Sequence, residues 1–184
     1  TWNPKKEIKD KEVLILGNGP SIKKYKKSLE MYIKKKKPYV IALNIEKSIS
    51  EKLISSRAAC VPVRIFSDHI SYKEFSQTFI LPLSTQSTEI QKKLKKVKIK
   101  NYGFLSKGKN FEFFDTYATS PYMFALAYAL SIANSGEARN ILLAGIDGYT
   151  NNDALNLEMN ELIKSYYKNK KSIKVISITP TVYK

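Results

Sequence analysis

The chain has 184 residues, 43% of them hydrophobic, and its 32 Lys and Arg against 16 Asp and Glu give a formal net charge of +16. That length supports one domain with a real core and is short for two, and no apolar stretch approaches the roughly 18 residues of a membrane span. The single cysteine, Cys60, excludes an internal disulfide, and its neighbours Ala58, Ala59 and Val61 mark it as a buried thiol rather than a nucleophile.

The polar start Thr1-Trp2-Asn3-Pro4-Lys5-Lys6 is no secretory leader, so a cytoplasmic domain is expected. It lacks an initiating methionine and reaches the run EVLIL by residue 12, which suggests a domain excised from the C-terminal part of a longer chain. Of the 32 basic residues, 29 are lysines. Base readers and phosphate forks favour arginine, so nucleic acid is not the expected partner; the lysine runs read as solvated faces, with attraction to phosphorylated metabolites or an anionic membrane surface left open.

Along the chain, short apolar runs alternate with amphipathic or polar segments. A strand is expected at 12–16 and a helix at 21–36, then a strand at 39–43 and a helix at 45–56. Strands at 60–66 and 78–83 follow, with Pro62 and Pro82 weighing against central positions. A helix is expected at 87–96 and a strand at 97–102, and residues 103–118 read as a long aromatic-rich connection. The helix expected at 119–135 has Thr119 or Ser120 as N-cap, Pro121 at its first position and Gly136 at its close. A strand at 140–145, a helix at 154–169 and a strand at 173–178 end the series. The pattern is that of a single doubly wound Rossmann-like α/β domain, a mostly parallel sheet of about seven strands flanked by helices.

In such a sheet ligands bind beyond the carboxyl ends of the strands, where strand order reverses. Gly17-Asn18-Gly19-Pro20-Ser21 follows the first strand: it reads as a phosphate cradle with Ser21 capping or touching phosphate, or as a plain strand-to-helix turn. It matches neither the dinucleotide fingerprint nor the P-loop spacing. Asn44 suits a ribose or base contact as well as an N-cap. Asp147, with Gly148 and Tyr149, follows the apolar strand at 140–145 and suits a hydroxyl, a metal or a turn cap. Thr119 and Ser120 would bring a second helix start to the same crevice, and two helix starts favour an anionic ligand. His69, the sole histidine, is a loop residue or a catalytic candidate. One His and one Cys exclude the usual zinc sites, while magnesium on Asp147 with Asp153 or Asp115 needs few protein ligands.

Taken in order, VLILGNGPSI, Asn44, ATSPYMFALAYAL and ILLAGIDGY resemble the superfamily of MptE-like (6-hydroxymethylpterin diphosphokinase-like) domains and the related bacterial sialyltransferases of glycosyltransferase family 42. The resemblance implies a nucleotide-binding domain with Gly17, Asn18 and Gly19 along the phosphates and ribose, and Asn44 at the ribose or base. Thr119 and Ser120 would meet the nucleotide, with Asp147 and Tyr149 lining the same pocket. The sialyltransferases carry a lid and a histidine base after the stretch resembling Tyr149; here no histidine follows His69, so Asp147 or His69 would have to serve. Pro121 stands where those enzymes have a glycine. The implied function is a transferase acting on a nucleotide-activated donor, by glycosyl or diphosphoryl transfer, in surface-polysaccharide biosynthesis, with magnesium in the diphosphoryl case. The alternative is a non-catalytic nucleotide or nucleotide-sugar binding module beside an upstream aldolase-like domain.

Overall fold

A computed structural model describes residues 1–62, 75–149 and 153–183. A short helix α1 (Lys5–Ile8) leads into β1 (Glu12–Leu16), then α2 (Pro20–Lys24), α3 (Lys26–Lys36) and β2 (Tyr39–Leu43). Next come β3 (Ser56–Ala58), β4 (Thr78–Leu81), α4 (Thr88–Lys93) and β5 (Ile99–Asn101). Three short strands, β6 (Gly103–Ser106), β7 (Glu112–Phe113) and β8 (Tyr117–Ser120), precede α5 (Ala125–Ser135), β9 (Asn140–Ala144), α6 (Ala154–Lys168) and β10 (Val175–Ser177).

Seven strands form one all-parallel sheet in the order β10-β9-β1-β2-β3-β4-β5. Strands β1 to β5 step outward on one side of β1, and the chain then returns to place β9 and β10 on its other side. Strand order therefore reverses at β1, between β2 and β9. Right-handed crossovers on opposite sides of that point put helices on opposite faces. Register-paired residues share a face, so Leu16, Ala42, Arg57, Phe79 and Ile99 form one row. On that face α3 packs Leu29 and Ile33 over Leu14, Leu16, Val40 and Ala42, while Leu94, just after α4, packs over Phe79 and Leu81. The opposite face, with Val13, Ile15, Ile41 and Ile80, is covered by α5, by Met159, Leu162 and Tyr166 of α6, and by the small sheet.

The parallel α/β architecture matches the sequence expectation, while several elements differ. Residues 45–56 are not a helix; they hold a single 3-10 turn at Glu51–Leu53, and the third strand is Ser56–Ala58 rather than 60–66. Residues 63–66 of that expected strand, and His69, lie outside the described residues. The 21–36 helix breaks at Tyr25 into α2 and α3. Residues 103–118 are not a bare loop: β6 pairs parallel with β8, and β7 pairs antiparallel with it. That pairing takes Thr119 and Ser120 into β8, and the long apolar helix starts at Ala125 with Phe124 as N-cap. Ser120 Oγ still shapes the chain there, accepting from the Tyr122 N–H and donating to its carbonyl.

Opposite the carboxyl ends of the strands, Glu7 gathers the start of the chain. It accepts from Trp2 Nε1 at 3.2 Å, Lys100 Nζ at 2.6 Å and the Tyr39 hydroxyl at 3.2 Å. Burial pulls the Glu7 carboxyl up, and the Lys100 ammonium together with the hydrogen bonds from Trp2 and Tyr39 more than offsets it, leaving the group below the ordinary 4.5.

Candidate functional site: the cleft at the strand-order reversal

The turn after β1 and the turn after β9 are locked together. The Gly17 N–H donates to the Ala144 carbonyl and the Gly19 N–H to the Gly145 carbonyl, both at 2.8 Å. A Cβ on Gly17 would lie 2.4 Å from Gly145 O, and one on Gly19 would lie 2.6 Å from Asp147 Cγ. The two glycines are therefore required by loop-to-loop contact before any ligand is considered.

Asp147 fills the position that the sequence suggests for an anion. Its Oδ2 accepts from the Ser21 N–H at 2.7 Å and its Oδ1 from the Ser21 hydroxyl. Ser21 is buried in the first turn of α2, and Pro20 has no N–H to offer, so this carboxylate caps the helix from the far loop. The first glycine turn thus carries its own negative charge. Asp147→Ala is expected to cost about 1.5 kcal/mol, as loss of a helix cap with a buried partner does, with Asp147→Asn between it and the wild type. A urea midpoint unmoved by Asp147→Ala would mean that the cap does not hold in solution.

Between these loops, the end of β2 and the start of α5 lies a cleft of about 310 Å³. Gly17, Asn18, Gly19, Asn44, Asp147 and Tyr149 all line it, as do Leu43, Phe124, Ala125, Leu126, Ile146, Met159 and Tyr183. Asn18 is exposed, and its amide makes no hydrogen bond among the described residues; neither does that of Asn44, which the backbone holds at φ 51°. The start of α5 is open to the same space. Phe124 supplies no side-chain cap, and the first bonded N–H among the described residues there is that of Tyr128, to the Phe124 carbonyl. The described lining contains no lysine or arginine.

Thr119 and Ser120 are not among the lining residues. Thr119 donates to Glu112 across the small sheet at 3.2 Å, and Ser120 turns the chain before α5. From this part of the chain the lining comes instead from Phe124, Ala125 and Leu126. His69 lies outside the described residues.

The carboxylates considered for magnesium are dispersed. Asp115 pairs with Lys5 at 3.1 Å beside a different cavity, and Asp153 caps α6 through the Leu155 N–H. Among the described residues no three His, Cys, Asp or Glu side chains converge, and Asp147 is engaged by Ser21. Asp147, Asp115 and Asp153 therefore do not share one site.

Sequence reasoning missed the C-terminal tail. The Ile178 N–H donates to Leu143 O, Thr179 Oγ1 accepts from the Gly145 N–H, and the Val182 N–H donates to Asp147 O. This strap lays Tyr183 against the cleft wall, where burial raises its hydroxyl pKa. That hydroxyl lies near the Tyr149 backbone and forms no well-aligned hydrogen bond among the described residues. Asn156 steadies the loop from the other side, exchanging two hydrogen bonds with the Tyr149 backbone. Behind Leu126, Ile146 and Tyr183 an apolar recess of about 120 Å³ reaches Leu130 and Tyr166. No protein-family model matches the chain, and no curated protein is similar to it at a significant level.

Proposed function

We propose that the domain binds a nucleotide or nucleotide-activated sugar in the cleft at the strand-order reversal and serves glycosyl or diphosphoryl transfer in surface-polysaccharide biosynthesis. This is the reading implied by the resemblance to MptE-like domains and family 42 sialyltransferases. The observation that carries it is one cleft holding two unengaged amides, Asn18 and Asn44, beside the uncapped start of an eleven-residue helix. Amides suit ribose and base, and free N–H groups at a helix start suit phosphate. With the first glycine turn capped by Asp147, the phosphate belongs at Ala125 and Leu126.

One observation favours a second reading, a non-catalytic nucleotide or nucleotide-sugar binding module beside an aldolase-like domain. Asp147 is the sole carboxylate of the described lining, and Ser21 already occupies both of its oxygens. A general base needs to reach the proton that it removes.

A thermal-shift series with CMP, CDP, UDP, GDP and ATP, with and without magnesium, tests both readings. Ligand at a hundredfold its Kd stabilises the folded state by about 2.7 kcal/mol. CMP is expected to stabilise without metal, with affinity falling about tenfold in Asn44→Ala and in Ala125→Pro. Proline at the first helical position removes one N–H while keeping the helix. Release of the nucleotide from a nucleotide-sugar in the presence of acceptor separates transferase from module. No shift with any nucleotide would overturn the proposal.

A further inference from the structure

Among the described helices most lysines lie on one side of the sheet, although α1, whose Ile8 packs into the core of the other face, carries Lys5 and Lys6. Together α2, α3 and α4 carry nine lysines and two glutamates; α5 carries no charged residue, and α6 carries two of each. The register row from Leu16 through Arg57 to Phe79 places α3 and α4 on the same face, so two lysine-rich segments distant in sequence form one layer. Its two glutamates pair with one lysine each, Glu30 with Lys26 at 3.8 Å and Glu89 with Lys93 at 2.8 Å, so nine lysines less two glutamates leave seven positive charges on the layer. Net charge alone does not require such sorting.

One exposed apolar side chain stands among these lysines. Met31 is 68% exposed on α3, with Lys27 one turn before it and Lys34 and Lys35 one turn after. Leu29 and Ile33 hold the opposite side of the helix on the sheet, so the Met31 stripe faces solvent. We propose that this face docks the domain on an anionic lipid bilayer, lysines against the headgroups and Met31 entering the interface. Lysine stems carry ammonium groups to a charged surface without needing the forked geometry that base or phosphate recognition uses, and an exposed thioether among them gains by leaving water. A nucleic acid would leave Met31 without a role. The cleft opens at the carboxyl ends of the strands, so docking through a face of the sheet leaves its mouth accessible.

Vesicle co-sedimentation of the whole chain tests this, using phosphatidylcholine alone and with one-third phosphatidylglycerol. Binding is expected to the anionic vesicles alone and to weaken with salt. Reversing Lys27, Lys34 and Lys35 to Glu should weaken partition by about a hundredfold, and Met31→Ser by about fivefold. Reversing the exposed Lys107, Lys168 and Lys170 instead makes the same change in net charge and should matter less than about threefold. All seven sites are exposed, and circular dichroism checks that each variant folds. Equal losses from the two triple variants would overturn the proposal in favour of diffuse charge attraction. Absence of anionic-vesicle binding would overturn it too. So would tighter binding to duplex DNA that ignores Met31→Ser, which would assign the face to nucleic acid.

Discussion

Gly17→Ala is expected to lower the unfolding free energy by about 3 kcal/mol, the upper end for overpacking, because the added carbon has nowhere to go. It would sit 2.4 Å from the Gly145 carbonyl oxygen and 2.5 Å from Ile146 Cδ1. The first is backbone, and the two loops are tied by hydrogen bonds of 2.8 Å from Gly17 to Ala144 and from Gly19 to Gly145. The loops cannot part without losing those bonds and shifting Asp147 from Ser21. Gly145 meets the same constraint from the other side: its φ is +71°, and a Cβ there would lie 2.9 Å from the Gly17 carbonyl oxygen. Gly108→Ala is the control. Gly108 has φ +72° and no atom within 4 Å of its Cβ position, so only the left-handed backbone is penalised, by about 1 kcal/mol. Chemical denaturation of both variants reads the difference, and equal losses would mean that the close approach of the loops is not maintained in solution.

The glycine turn shows how far the sequence could lead. A strand followed by Gly-Asn-Gly-Pro-Ser announces a sharp connection, and the strands at 12–16 and 39–43 have the bounds their apolar runs suggest. The sequence does not say whether the glycines make room for a ligand or for another loop, because Gly145 and Asp147 lie more than 120 positions away. The same distance hides the Asp147 to Ser21 cap. Thr119, Ser120 and Pro121 compose a convincing helix start, yet pairing of β8 with β6 and β7 outweighs that local preference and delays the helix to Ala125. The 45–56 segment has the spacing of a helix, but Ser56, Arg57 and Ala58 are drawn into the sheet between β2 and β4. Tyr183 gives no local signal at all, since only the strap over Gly145 and Asp147 brings it to the cleft.

Arg57 is the other residue that sequence reasoning did not place, and Arg57→Ala is expected to cost about 3 kcal/mol, as loss of a buried donor that leaves several acceptors unpaired does, its ion-pair partner Glu51 being 34% exposed. Its side chain is fully buried in the middle of β3. The guanidinium donates to the Glu46 carbonyl at 2.6 Å, the Gln77 amide oxygen at 3.2 Å, the Asn44 carbonyl at 3.4 Å and the Glu51 carboxylate, and lies 4.4 Å over the Phe75 ring. Burial pulls its pKa down, and Glu51 and Glu46 oppose that pull, so it remains a cation at neutral pH. The segment from Asn44 to Glu51 has little regular structure of its own, and Arg57 ties down both of its ends, beside the buried Ile49 and the bond from Gln77 Nε2 to the Glu51 carbonyl. Arg57→Ala would leave buried carbonyls and the Glu51 carboxylate without their donor. Arg57→Met with Glu51→Leu should recover about half of the loss, because it removes the stranded charge but not the carbonyls. A loss below about 1 kcal/mol for Arg57→Ala would show that the segment is held by other contacts. Asn44, at the head of this segment and at φ 51°, lines the cleft. On the proposed reading of the cleft, titration with CMP should show affinity falling in Arg57→Ala along with stability, even though Arg57 itself does not line the cleft.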